Sequence, residues 1–189
     1  MRKSIHAVYT VHAINGFASS LIGIFIPAYL LQLGYPVSQV LLFYLLFALG
    51  IFLFFLLASL VASWIGLRWT LLLNFAALAA YLVILYGLHD ASTPVWIIAI
   101  PNSMYAAFYW FPLHVFFTTH ADDEKTGNNV AKLFAFPQLL SIPGPLIGAA
   151  IAVLGGFKLL FAIAAVIYLV SLVPIFFIPE IRPPTFFKF

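Results

Sequence analysis

Long stretches without charged side chains dominate the sequence. Asp, Glu, Lys and Arg are absent from residues 4–67, 69–89, 91–121, 133–157 and 159–179. A helix that crosses a bilayer needs about 20 apolar residues, so each stretch is long enough for at least one. The first is long enough for two, and Gly34 and Pro36 provide the turn between them. The pattern predicts six membrane-spanning helices, near 7–32, 38–62, 69–88, 94–119, 130–154 and 158–178.

The form of these stretches predicts an all-α membrane protein. Strands of a membrane barrel alternate apolar and polar residues over about ten positions, whereas these runs are roughly twice as long and do not alternate. The basic start Met1-Arg2-Lys3 precedes an apolar stretch too long for the core of a signal peptide, so we interpret it as an uncleaved first helix. We expect residues 1–189 to form a single membrane domain.

Composition supports a membrane location. Hydrophobic residues make up 65% of the 189 residues and charged residues 7%, whereas about a quarter of the residues in a soluble domain are charged. The absence of cysteine excludes disulfides, thiolate metal sites and cysteine nucleophiles. The net charge of +3 is scattered and forms no basic patch. We therefore expect the lipid bilayer as a partner and no nucleic acid.

Basic residues sort to one side of the predicted helices. Six spans place both termini on the same side, together with seven basic residues: Arg2, Lys3, Arg68, Lys125, Lys132, Arg182 and Lys188. The other side receives Lys158 alone. The positive-inside rule then predicts cytoplasmic termini in a multi-pass protein of the cell membrane. Near predicted helix ends, Trp64, Trp69 and Trp96 are most simply anchors at the membrane interface.

The first helix leads into a short outer loop through Ile26-Pro27-Ala28-Tyr29-Leu30-Leu31-Gln32-Leu33-Gly34. This exit and the six-helix layout resemble the amino-terminal six-helix half of the major facilitator superfamily. Between helices two and three the family often has Leu-Ala-Asp-Arg-x-Gly-Arg-Arg, and Ala62, Gly66 and Arg68 fit this cytoplasmic loop motif. Ser63, Trp64 and Leu67 replace its acid and two of its bases. The resemblance therefore does not carry over the family's standard charge latch.

The predicted fifth helix carries the third part of the resemblance. Gly144-Pro145-Leu146-Ile147-Gly148-Ala149 is similar to the Gly-Pro-x-x-Gly-Gly element of exporters and antiporters in the superfamily. Proline bends a helix because it removes a backbone donor. Gly144 and Gly148 share a face and allow another helix to approach closely. Gly144, Pro145 and Gly148 form either a gating hinge or a kinked packing helix, and the sequence leaves both open.

Three predicted helices carry polar residues at helical spacing. In the resembled family, helices one, four and five supply much of the cavity lining. We therefore predict a substrate cavity lined by His12, Asn15, Ser19, Asn102, Tyr105, Tyr109, Gln138 and Ser141. The alternative is that these residues hydrogen-bond neighbouring helices, at about 0.6–2 kcal/mol each. No charged residue lies at membrane depth, which favours a neutral substrate compatible with aromatic side chains.

Other chemistry has little support in the sequence. His12 lies within the first span, where an imidazole could take up a proton, although a neutral hydrogen-bonded histidine is the simpler interpretation. No His-Glu-x-x-His or Gly-x-Ser-x-Gly motif occurs. The cluster Asp122-Asp123-Glu124 is typical of a solvated cytoplasmic turn. We therefore expect no catalytic residue, metal or cofactor, and a protein that is not an enzyme.

The first functional hypothesis is transport of a small solute by alternating access, in which two bundles rock about a central site. This chain would supply one bundle, and a second copy or a separate chain the other. The alternatives are a non-transporting membrane partner or a truncated transporter fragment, and a small channel or lipid-interacting protein. The substrate, the direction of transport and the coupling ion are not specified by the sequence.

Overall fold

The described part of the chain consists of helices and the turns between them, without a strand. The computed structural model describes residues 2–120, 135 and 137–183, and the side chains of these from residue 7 onward, apart from that of residue 120. The helices are α1 Arg2–Ile22, α2 Phe25–Gln32, α3 Val37–Ile65, α4 Leu67–Gly87, α5 Val95–His120, α6 Gly144–Val170 and α7 Leu172–Ile175. Residues 137–141 are also helical. The predicted all-α fold class is confirmed for this part of the chain.

The chain divides into two compact units. The first unit contains Met1–Gln32 and His120–Ile178, and the second contains Leu33–Thr119 and Pro179–Phe189. Each unit therefore joins segments that are far apart in the sequence. The acidic cluster Asp122-Asp123-Glu124, expected to form a cytoplasmic turn, and the beginning of the predicted helix 130–154 lie outside the described residues.

In the first unit, α1 packs along α6. A short break separates α1 from α2, and the backbone N–H of Gly23 still donates to the Ser19 carbonyl at 2.8 Å. Pro27 follows four residues after Gly23 and has no N–H to continue the helical hydrogen bonding. The break therefore occurs where the sequence supplies both a glycine and a proline.

The chain reverses direction at Gly156, which has a positive φ of 77° and a ψ of 173° inside α6. Just after it, Phe157 packs against Tyr29 near the end of α2, with 5.3 Å between the ring centroids. Tyr168 then lies back against Ser19, at a distance of 2.8 Å between their hydroxyl oxygens. Since these contacts run backwards along the first helices, the residues after Gly156 form a second, returning pass.

In the second unit, Gly66 alone separates α3 from α4, and these helices pack together. On α3, Ala58 packs against Ala107 and Phe108 of α5 in a fully buried cluster. Ser103 of α5 donates to the Phe47 carbonyl of α3 at 3.1 Å. The small residues bring α3 and α5 close together, and the remaining surface of α3 exposes leucine and phenylalanine side chains.

Four segments are long and apolar enough to cross a membrane: Ala7–Gln32, Val37–Ile65, Leu67–Gly87 and Pro137–Ile175. The predicted number of six spans is therefore not confirmed for the described residues. One reason is that α5 contains two prolines, together with Asn102 and His114, and these lower its mean hydropathy. The other is that the 39 residues of the fourth segment include both passes around Gly156.

Candidate functional site

The predicted polar row on α1 is mostly buried in the first unit. His12 and Asn15 are 6% and 1% exposed, and Ser19 is half-buried one turn further along the helix. Ser19 forms a hydrogen bond of 2.8 Å with the hydroxyl of Tyr168, which is itself buried on α6. Residues spaced by three and four positions share a helix face, which explains how the row is formed. Tyr168 therefore belongs with this row.

The glycines of the predicted hinge lie against α1. A Cβ at Gly144 would overlap the side chain of Ser20, and a Cβ at Gly148 would overlap the backbone carbonyl of Leu21. Pro145 lies in the first turn of α6, where its missing N–H costs no intrahelical hydrogen bond. The close packing follows directly from these residues. The proposed gating role of Gly144, Pro145 and Gly148 remains a prediction.

The two remaining candidates of the first unit differ in environment. Ser141 is half-buried, and its hydroxyl donates to the carbonyl of Pro137 at 2.8 Å. The same hydroxyl would lie 3.3 Å from a Cβ placed on Gly16 of α1. Ser141 therefore faces α1, whereas the side chain of Gln138 is exposed.

The candidates on α5 belong to the second unit. Asn102 and Tyr105 are half-buried and Tyr109 is buried. The rings of Tyr105 and Tyr109 stack, with 6.2 Å between their centroids and 24° between their planes. Pro101 and Pro112 lie inside the same helix. The second unit thus presents an amide and two phenols along one helix.

The cytoplasmic loop motif forms the turn between α3 and α4. The backbone N–H of Gly66 donates to the Ala62 carbonyl at 2.9 Å and closes the end of α3. Ala62 is fully buried. The φ of 96° and ψ of 166° at Gly66 strongly favour glycine over residues with a Cβ. Two of the three matching motif residues therefore serve the geometry of this turn.

Glu180 lies against this turn and pairs with Arg68. The backbone N–H of Arg68 donates to Oε1 of Glu180 at 3.2 Å, and Nε of Arg68 lies 3.5 Å from Oε2. The backbone N–H of Leu67 donates to the Ile181 carbonyl at 2.8 Å. Arg68 also lies over the ring of Trp69, 5.6 Å from its centroid. The first N–H groups of α4, which have no intrahelical acceptor, are satisfied by the segment after the last helix.

Sequence reasoning missed Glu180 and Tyr168. Glu180 is the sole acid after residue 124, and it follows the last predicted helix on the side that carries Arg68. That position was the signal, because Ser63 leaves the loop motif without its own acid. Tyr168 gave a weaker signal, since it is an isolated tyrosine in an apolar helix. Among the described residues, no group of three or more His, Asp or Glu could hold a metal ion.

The helices and their polar rows define a multi-pass integral membrane protein. A family model described as the Major Facilitator Superfamily matches residues 8–188. The chain therefore belongs to the major facilitator superfamily, a family of membrane transporters, and the resemblance seen in the sequence is confirmed at this level. Comparison with curated proteins gives no match.

Proposed function

We propose that this chain forms one of the two bundles of a secondary transporter and moves a small solute by alternating access. The observation that carries the proposal is the row of buried polar side chains on α1, His12 and Asn15, within a segment that can cross a membrane. Polar groups at membrane depth are costly unless they face a partner or a water-filled cavity. The family match over residues 8–188 supports transport as the purpose of this row.

In the second unit, the proposed substrate contacts are the amide and phenols of α5. Asn102, Tyr105 and Tyr109 offer hydrogen bonds and aromatic faces without a formal charge. Such a lining suits a neutral solute with an apolar or aromatic part. His12 is the candidate for proton coupling in this row, and it is the one group there with an ordinary pKa near neutrality.

A second bundle must complete such a site. We propose that either a second copy of this chain or a separate chain supplies it, in the cell membrane with both termini in the cytoplasm. A homodimer would have twice the mass of 21.0 kDa. Native mass spectrometry in mild detergent distinguishes the two possibilities, because a monomer would require a separate chain.

The alternative proposal is a non-transporting membrane partner or a transporter fragment, in which the polar residues only hold helices together. Contacts at two candidates favour this interpretation locally. Ser19 bonds to Tyr168, and Ser141 bonds to the backbone of its own helix. Asn102 is therefore a better position than Ser19 or Ser141 at which to test the proposed cavity.

The absence of cysteine allows a direct test of alternating access without an identified substrate. Asn102→Cys is reconstituted in vesicles and treated with a membrane-impermeant maleimide from either side. Alternating access predicts labelling from both sides. Leu53→Cys, at an exposed apolar position of α3, is the control for lipid-facing residues and should resist the reagent. Ser92→Cys, in an exposed loop, should react from one side only.

Labelling of Asn102→Cys from a single side would contradict alternating access and indicate a fixed vestibule. Absence of labelling from both sides, with Ser92→Cys reactive, would favour the packing alternative. In either case the family membership would stand, since it does not depend on this residue.

A further inference from the structure

An open groove of about 560 Å³ lies beside the turn between α3 and α4. Its lining includes Trp64 at the end of α3, Trp69 and three apolar residues of α4, and Arg182 of the segment after the last helix. All of these belong to the second unit. The groove is separate from the polar rows described above.

The groove lies at the boundary of the hydrocarbon layer. Both adjoining helices are long and apolar enough to cross a membrane, and Gly66 alone connects them, so the ends that meet there lie at the same depth. Trp64 and Trp69 are 71% and 50% exposed, as is typical of residues at the level of lipid headgroups. Leu72, Leu73 and Ala76 line the groove further along α4. It is therefore polar at its mouth and apolar towards the membrane.

Arg182 gives the groove its charge. The neighbouring carboxylate of Glu180 is already engaged by Arg68, and no acidic residue lines the groove among the described residues. The backbone bond from Leu67 to Ile181 fixes the chain immediately before Arg182. Arg182 is exposed and lines the groove, and the planar set of donors on its guanidinium matches a phosphate group.

We propose that this groove binds an anionic glycerophospholipid. The phosphate would pair with Arg182, and the first part of the acyl chains would lie along Leu72, Leu73 and Ala76. The charge balance favours an anionic headgroup over a choline headgroup, because Arg68 is paired with Glu180 and the remaining charge of Arg182 at the groove would repel a quaternary ammonium. The apolar wall favours a lipid over a soluble phosphate. This binding site does not depend on transport activity.

The experiment is native mass spectrometry of the full chain with phosphatidylglycerol or phosphatidylcholine of identical acyl chains. We expect the wild type to retain phosphatidylglycerol preferentially. Arg182→Gln should reduce that occupancy about fivefold, the effect of one basic residue near an anionic lipid. Ala76→Phe keeps every charge but fills the groove, and it should reduce the occupancy as well. Lys158→Gln, which removes a positive charge from the first unit, is the matched control and should bind as the wild type does.

Three results would overturn the proposal. Equal retention of the two lipids by the wild type would remove the headgroup preference. Unchanged phosphatidylglycerol binding in both Arg182→Gln and Ala76→Phe would place the lipid elsewhere. Displacement of the lipid by an equal concentration of glycerol 3-phosphate would identify the ligand as a soluble phosphate.

Discussion

Glu180 and Arg68 lie 112 positions apart in the sequence, and the carboxylate of Glu180 meets both the backbone N–H and the guanidinium of Arg68. The side chains are 26% and 29% exposed. Pairs with such exposure contribute little by charge alone, and the bond to the backbone N–H adds a second contribution at the beginning of α4. Arg68 therefore pairs with an acid from a distant segment of the chain.

Removal of this pair should destabilise the second unit modestly. We expect Glu180→Gln to lower the free energy of unfolding by about 0.5–1 kcal/mol, because the amide still accepts the backbone bond but loses the charge attraction. Thermal unfolding in detergent measures the change. In a double-mutant cycle with Arg68→Gln, the double variant should lose less stability than the sum of the two single losses. Strict additivity of the losses would contradict the ion pair.

Substitution of Gly66 should be more damaging. A Cβ there has an unfavourable φ and also overlaps the carboxylate of Glu180. Gly34 also has a positive φ, of 90°, but a Cβ there meets open space. We expect Gly34→Ala to cost about 1 kcal/mol through backbone strain and Gly66→Ala clearly more. Equal losses of thermal stability would show that Glu180 does not pack against the turn.

The α1–α6 contact predicts a similar contrast between two helical glycines. Gly148→Ala should cost about 1–3 kcal/mol because its methyl group meets the backbone of Leu21. Gly87→Ala, with nothing near its Cβ, should be neutral or stabilising by up to about 1 kcal/mol. Unfolding measurements on both variants provide the comparison. Tolerance of Gly148→Ala would argue against close packing of these helices.

The bond between Ser19 and Tyr168 separates packing from substrate binding. Tyr168→Phe removes one hydroxyl and should cost about 0.6–1 kcal/mol, and in the double variant with Ser19→Ala the losses should not add. If Ser19 contributes to packing alone, adding Tyr168→Phe or Ser19→Ala to the Asn102→Cys protein should leave its labelling by the maleimide unchanged. A changed labelling pattern at unchanged stability would instead assign the hydroxyl pair to the cavity.

Asp90 allows a test by pH. Hydrogen bonds from the side chain and backbone of Ser92 lower the pKa of the Asp90 carboxyl below its ordinary value of 3.8. Because the pKa is lower in the folded state, the ionised carboxylate stabilises the loop at pH values above the ordinary pKa of 3.8. This contribution is lost as the pH falls through the pKa of the folded state. We expect Ser92→Ala to raise the pKa of Asp90, as measured by carboxyl carbon NMR, with Ser92→Thr as the control. An unchanged pKa in Ser92→Ala would rule out the side-chain bond.

The sequence predicted much of the helical fold because long stretches without charged residues are what membrane-spanning helices require. It also predicted a loop around Gly66 and the close approach of another helix at Gly144 and Gly148, since a glycine has no side chain to keep a neighbouring helix away. The number of six spans is not confirmed for the described residues. The break at Gly156 falls between the predicted helices 130–154 and 158–178, whereas the two prolines of α5 make that helix less apolar than a typical span.

The candidate site was predictable only where its residues follow the spacing of a helix. The row of His12, Asn15 and Ser19 follows helical spacing and could be read from the sequence. Tyr168 and Glu180 reach their partners from distant segments, and no local pattern specifies such a meeting. The exposed side chain of Gln138 illustrates the converse, because helical spacing assigns residues to a face without identifying what that face contacts.

The bond from Leu67 to Ile181 has a consequence for biosynthesis. The turn at Gly66 emerges from the ribosome more than a hundred residues before the segment that completes it. During translation the beginning of α4 must therefore use water or headgroups as temporary acceptors. The second unit reaches its final form only when the last helix has been inserted, so its assembly is a late, post-insertion event and the ion pair at Arg68 marks its completion.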